Sequence, residues 1–371
     1  METGEGRFVG IDLAKKTYVA RIESNGEGPA VILTGKNDAK GYAKLCKTLS
    51  SADRIAIEAG ALGFWMARLL KEKVGCEVYV LNPGQLAIIY KSTKKTDLED
   101  AAKLAWILRR FPPAELPVVP LPSPGEERQR QIVSELHFQK KIRTKLVNRL
   151  HSVFVRVGKT DVVKKDLETS NLRKETVKHL SGRELVEANR LTEQIDLVER
   201  QINETERDAS GALVEDEKTK LLLTVPGVGE ITAMAFLAYI GDGSRFACAS
   251  QVSNYVGMTP RVYASGETVR LGRISKRGCS AIRSIIVQSA WAAVRAKNNR
   301  FRMKYDELKD RIGKKKAIVA IARRMIEVMW IVVRKNEQFR DYDEKSYKRK
   351  LRILYKKAQD GKTTQETKKA S

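Results

Sequence analysis

Histidine and cysteine are scarce in this chain: three and four copies among 371 residues. Cys46, Cys76, Cys248 and Cys279 are scattered, and no two form a CxxC pair. That argues against a disulfide framework and a structural zinc site, and suits a reducing cytoplasm. His137, His151 and His179 are too dispersed for an imidazole-based metal centre. Any metal must therefore be held by carboxylates, which selects Mg²⁺, with Mn²⁺ as the alternative. No apolar run reaches membrane-spanning length, and METGEGRFVGIDL carries no signal-peptide pattern, so no membrane partner is expected.

Acidic charge is the other deficit. Asp and Glu total 45 against 70 Lys and Arg, a formal charge of +25. The expected partner is a polyanion, nucleic acid before an anionic membrane surface. Hydrophobic residues make up 42% of the chain, enough for two or three globular domains with real cores.

The first third alternates cleanly. RFVGIDLA, TYVARIES (17–24), PAVILTG (29–35), RIAIEAG (54–60) and CEVYVLNPG read as strands. DAKGYAKLCKTLS, LGFWMARLLKEKV and the stretch after Thr96 read as helices. The order β-β-β-α-β-α-β-α is the pattern of an RNase H-like (RuvC-like) α/β domain over 1–112. The Pro-rich FPPAELPVVPLPSPGEE (111–127) cannot be helix and reads as a linker.

Beyond it the chain turns helical. Leu146, Leu150, Val153 and Val157, and later Leu191, Ile195, Val198 and Ile202, form narrow stripes at heptad spacing. A helical hairpin, an intermolecular coiled coil, or helices on their own core all fit a middle region over 113–215. A mainly helical domain over 216–335 opens with VPGVGE, where Gly227 and Gly229 sit between helix-like segments. Such a turn resembles the helix-hairpin-helix that offers backbone N–H groups to phosphate; a plain helix–turn–helix corner explains it equally well. The basic tail, 336–371, is expected to fray and to order on nucleic acid.

Within this frame KKTDLEDA (94–101) stands out. Helix capping accounts for Thr96 and Glu99 but not for Asp97 and Asp100, which lie three apart on one helix face. In the expected fold Asp12 ends the first strand and Glu58 the fourth, on adjacent central strands. Four carboxylates would converge there, tolerable at neutral pH around divalent cations. Lys94 and Lys95 would face a phosphate backbone.

The ordered series GIDLAKKT, IEAG, LNPG, KKTDLEDA, VPGVGE, GMTPRVYASG and RISKRG resembles the bridge-RNA-guided DEDD recombinases of insertion sequences, whose relatives include pilin-gene invertases. The likeness spans about residues 7–335. It implies an acidic tetrad at Asp12, Glu58, Asp97 and Asp100 holding Mg²⁺, and a serine nucleophile at Ser265 forming a covalent phosphoserine–DNA intermediate. It implies target and donor DNA as substrates, selected by a structured noncoding guide RNA, and a homo-oligomer, dimer or tetramer, whose domains build a composite site. The expected location is the prokaryotic cytoplasm, at the nucleoid. From the residues alone YASGET is a Ser–Gly turn between strands, and no histidine near it in sequence could activate Ser265. Arg261, Arg270, Arg273, Lys276 and Arg277 crowd both sides, either steadying a scissile phosphate or forming a solvated basic face. Three rivals stay open: a site-specific DNA invertase, a hydrolytic nuclease or junction resolvase using the acids alone, and a basic nucleic-acid packaging protein.

Overall fold

Strands form first where apolar residues alternate. The computed structural model describes residues 6–24, 28–89, 96–265, 268–296 and 299–370, which fall into two units, up to Ser123 and from Pro124. The first holds β1 (Phe8–Leu13), β2 (Thr17–Glu23), β3 (Val31–Lys36), α1 (Ala39–Thr48), β4 (Arg54–Glu58), α2 (Ala61–Lys73), β5 (Glu77–Leu81), α3 (Pro83–Ile89) and α4 (Asp97–Arg110). The sheet order is β3-β2-β1-β4-β5. Hairpin-linked β1, β2 and β3 are antiparallel, and β1–β4 and β4–β5 are parallel. This is the expected element order with one addition: Pro83 does not merely close β5 but starts the short α3.

Period-two alternation sorts the side chains. Val9, Ile11, Ile55 and Ile57 face a core that includes Leu45, Met66 and Leu70. Ala56 and Leu81 face the opposite core with Leu104, Ile107 and Leu108 of α4. Gly10, between Val9 and Ile11, belongs to the α4 face. A Cβ there would strike the Ala101 carbonyl and the Ala105 amide, so only glycine lets α4 lie directly on β1. Gly10→Ala should destabilise this unit by about 3 kcal/mol, read as an earlier denaturant midpoint for the sheet's transition in full-length protein.

The Pro-rich stretch departs from a simple linker. Pro113–Glu115 is a 3₁₀ turn, and Val118 bridges Leu81 antiparallel. The Val119 N–H donates to the Val80 carbonyl at 2.7 Å, and the Asn82 N–H to that of Pro117 at 3.0 Å. Its last residues are helical, because proline at a first helical position has no N–H to lose.

The second unit contains α5 (Pro124–Arg156), α6 (Ser170–Val177), α7 (Gly182–Leu213), α8 (Glu217–Leu223), α9 (Glu230–Ile240), α10 (Ala249–Val256), β6 (Pro260–Ser265), β7 (Thr268–Ile274), α11 (Ser280–Arg295), α12 (Arg300–Ile312), α13 (Lys314–Lys335) and α14 (Glu344–Ala370). The two heptad stripes meet within the chain. Ion pairs Lys140–Glu206 (2.9 Å), Arg143–Glu199 (2.6 Å) and Arg149–Glu187 (2.7 Å) run in opposite directions along α5 and α7, an antiparallel hairpin. Leu150, Val153 and Ile195 are buried in it. Val157 is not part of the seam: it lies past the end of α5 and is 40% exposed.

Arg173 on α6 is fully buried, 2.6 Å from both Asp196 and Glu199 of α7. Removing it leaves two carboxylates facing a void, so Arg173→Ala should cost about 3–5 kcal/mol, measurable as a lowered Tm of full-length protein. Helix α9 is buried almost all round, from Ala233 to Ile240, at the centre of the larger core.

The tail contradicts expectation. Instead of fraying it forms α14, with Leu354 and Ala358 buried and Tyr347 and Leu351 packed on the core. Spacings of four, three and four hide an apolar stripe among lysines and arginines. Lys350 Nζ donates to the Leu223 and Val225 carbonyls at 2.7 and 2.9 Å, and Lys357 pairs with Glu206 at 2.9 Å and with Glu230. Among the described residues no helix is long and apolar enough to cross a membrane.

Candidate functional site

The acidic group is assembled by three local rules. Parallel pairing of Ile11 with Ile57 brings the next residues, Asp12 and Glu58, to the carboxyl ends of neighbouring central strands, where ligands bind in α/β sheets. Alternation turns both toward the α4 face. Thr96 then starts α4, its Oγ1 accepting from the Glu99 N–H at 3.2 Å. Docking on Gly10 brings the first turn, with Asp97 and Asp100, to the same end.

The electrostatics register this meeting. The Asp12 carboxyl is pushed up to about 6, first by burial and then by the charges of Asp97, Asp100 and Glu58; a bond from the Leu13 backbone opposes the rise. Asp97 and Glu58 are exposed, and Asp12 and Asp100 half-buried, so the group is open to solvent. Lys103 Nζ sits 2.6 Å from Asp100, a cation already drawn to the group by its i,i+3 position. Among the described residues no three Asp, Glu, His or Cys side chains are arranged to clasp a metal ion. Lys94 and Lys95 lie outside the described residues.

Because the Asp12 pKa is raised on folding, its ionisation opposes folding. Stability contributed by the protonated carboxyl is lost as pH rises from about 4 through about 6. Asp97→Asn should lower the Asp12 midpoint from about 6 toward 4, followed by ¹³C carboxyl NMR. Asp12→Asn should raise Tm at pH 8 and leave it nearly unchanged at pH 4.

The second group lies on the β6–β7 hairpin. Ser265 ends β6 and pairs with Thr268, Tyr263 with Arg270, and Val262 with Leu271. Arg261, Arg270 and Arg273 are exposed, and so are Val262 (61%), Tyr263 (58%) and Leu271 (69%). A two-stranded sheet this open is marginal alone in water, and its rooting explains its persistence. Lys276 takes a left-handed backbone, φ +56°, and its N–H donates to the Gly257 carbonyl at 3.0 Å. Gly257 must be glycine: φ is +76°, and a Cβ would strike the Arg277 backbone. Arg283 Nη1 donates to the carbonyls of Val256 (3.0 Å), Arg277 (2.7 Å) and Gly278 (3.0 Å). Lys276 and Arg277 are thereby held exposed beside the hairpin's base.

The VPGVGE turn has a packing role. Gly227, φ +79°, abuts α11, where a Cβ would strike the Ser289 carbonyl and the Ala293 amide. Gly229 caps α9 with no side-chain bond to its amides. Close helix contact accounts for the glycine at 227.

Sequence reasoning passed over Gly10, Gly257, Arg283 and Ser275, whose buried Oγ has no hydrogen-bond partner among the described residues. Gly10 had a signal: a glycine inside FVGIDL marks close backbone approach. Arg283 had none, since its partners are carbonyls.

One chain thus joins a five-stranded sheet, with carboxylates at its strand ends, to a mainly helical unit. A family model described as a transposase, of the IS110 DEDD type, matches residues 9–158, and one described as "Transposase IS116/IS110/IS902 family" matches residues 219–306. The chain is 30% identical to the transposase for insertion sequence element IS1328 of Yersinia enterocolitica over 244 residues, covering 64% of this chain and 69% of that protein. It is 30% identical over 142 residues to the transposase for insertion sequence element IS1111A of Coxiella burnetii, covering 38% and 39%. It is 31% identical over 125 residues to the pilin gene-inverting protein of Moraxella lacunata, covering 33% and 38%. The chain belongs to the IS110/IS116/IS902 family of insertion-sequence transposases.

Proposed function

We propose that the chain recombines DNA of its own mobile element by Mg²⁺-dependent strand cleavage, with Ser265 as nucleophile and Asp12, Glu58, Asp97 and Asp100 as the acidic group. The observation that carries this reading is the placement of Asp12 and Glu58 at the carboxyl ends of neighbouring parallel strands, where burial and then the charges of Asp97, Asp100 and Glu58 raise the Asp12 carboxyl. Like charges gathered at a strand end are unfavourable unless a cation or proton is to be bound there. The donor type suits a hard cation, since all four side chains are carboxylates, although among the described residues they are not gathered around a metal position and the Lys103 ammonium stands beside Asp100. Mg²⁺, or Mn²⁺, would be held by these carboxylates and would supply Lewis acidity and charge neutralisation at phosphoryl oxygens. The β3-β2-β1-β4-β5 order supports an RNase H-like reading of the domain.

Ser265 Oγ attacks phosphorus. The Oγ–P bond forms, the P–O bond to one sugar breaks, the seryl proton leaves to a base, and the departing sugar oxygen takes up a proton. The phosphodiester energy is kept in the serine ester, and a hydroxyl from another strand reverses the exchange. Arg261, Arg270 and Arg273 counter phosphate charge on the same hairpin. By family resemblance a structured guide RNA selects target and donor DNA through base pairing, so the protein contacts backbone; the +25 charge supports two polyanions. The working form is a homo-oligomer at the nucleoid. Likeness to a pilin gene-inverting protein favours inversion as the second reading, distinguished by plasmids carrying inverted instead of separate sites.

Full-length protein, Mg²⁺ and a recombining plasmid pair with the element's flanking RNA supply the test. Ser265→Ala should abolish the denaturation-resistant protein–DNA adduct and lower recombination at least about a thousandfold; Asp12→Asn should do the same. Undiminished strand cleavage by Ser265→Ala would instead establish a hydrolytic nuclease.

A further inference from the structure

A cleft of about 860 Å³ opens between α5, α9 and α11. Leu136, Ile231 and Ile285 give it an apolar floor, and Lys141, Lys145 and Gln288 are among its exposed walls. Lys140, also lining it, is engaged by Glu206. Lys141 and Lys145 have no ion-pair partner among the described residues, so two uncompensated cations stand on one helix face. His137 lines the cleft as well, and its Nε2 is buried without a hydrogen-bond partner among the described residues. Burial and the Lys141 charge hold the imidazole below its ordinary pKa, neutral and able to donate or accept. Phe138, 64% exposed, shares a helix face with Lys141 and Lys145, three and seven residues on.

We propose that this cleft seats an unpaired nucleotide of a nucleic-acid strand, its phosphates on Lys141 and Lys145 and its base against the apolar floor beside His137. Phe138, on the adjoining exposed face of the same helix, stacks on the next base of the strand. Cations beside an aromatic ring and an apolar floor are the chemistry of single-strand recognition. A duplex brings only its backbone to such a rim, whereas an unpaired base can turn out of its strand and enter the cleft. The proposal rests on the reading that this transposase handles nucleic acid, but it shares no residue with the acids or the Ser265 hairpin.

Full-length protein and fluorescent ten-nucleotide RNA and DNA homopolymers, with a hairpin duplex as competitor, supply the test by anisotropy over a salt series. Lys141→Gln with Lys145→Gln should weaken single-strand binding about tenfold and lower the log–log salt slope by about 1.4. Phe138→Ala should weaken it about tenfold at unchanged slope. Lys164→Gln with Lys165→Gln, the same charge removed from another surface, should change it less than about twofold. Photocross-links from 5-iodopyrimidine strands should map to the peptide around 136–145, the tighter of the RNA and DNA arms naming the source. Equal losses in the two lysine pairs, cross-links confined elsewhere, or competition by duplex as effective as by single strand would overturn the proposal. Ser265→Ala should keep this binding in full, so failure of the proposed chemistry and failure of the cleft are told apart.

Discussion

The contact between Gly10 and helix α4 sets the geometry of the acidic group. One missing side chain lets the Ala101–Ala105 backbone rest on strand β1. The helix's first turn then falls beside Asp12, while parallel pairing supplies Glu58 from the next strand. Any larger residue at position 10 would lift the helix and with it two of the four carboxylates. The apolar contacts of Leu104, Ile107 and Leu108 with Ala56 and Leu81 hold the docked helix against the like-charge repulsion that, after burial, lifts the Asp12 carboxyl. Hydrophobic burial and like-charge repulsion oppose each other across a few ångströms, as expected where a fold keeps acids together for binding.

The second unit uses the same device repeatedly. Gly227 lets the turn before α9 lie on α11, and Gly257 lets the helix α10 terminus lie on the Arg277 backbone. Around these contacts, charged side chains satisfy groups the helices leave open. Lys350 caps the carbonyls at the end of α8, and Arg283 gathers three carbonyls under the hairpin base. Part of the basic surplus therefore holds the fold itself, while Lys141, Lys145 and the hairpin arginines remain solvent-facing.

Much of this was legible in the residues. The expected β-β-β-α-β-α-β-α fold placed Asp12 and Glu58 on adjacent central strands, and i,i+3 spacing placed Asp97 and Asp100 on one helix face, a period that follows from backbone geometry alone. The stripes through Leu150 and Ile195 announced helices with an apolar seam, but periodicity cannot say whether the partner is the same chain. The ion pairs along α5 and α7 show that it is. The tail was misread because charge density masked Tyr347, Leu351, Leu354 and Ala358, whose spacing carried the helix. Packing and anion binding ask for glycine alike, so VPGVGE by itself does not tell a phosphate turn from a helix contact; the structure supplies the contact of Gly227 with α11. For Ser265 the residues state only a strand end, its role resting on family likeness.

The proposal that four carboxylates distant in sequence act as one cation-binding group is open to direct measurement. Mn²⁺ binding to full-length protein, followed by electron paramagnetic resonance at pH 7.5, tests it most directly. Saturable binding that is lost in Asp12→Asn and in Asp97→Asn, and weakened as pH falls through about 6, is the predicted result. Binding unchanged in both variants would contradict the account.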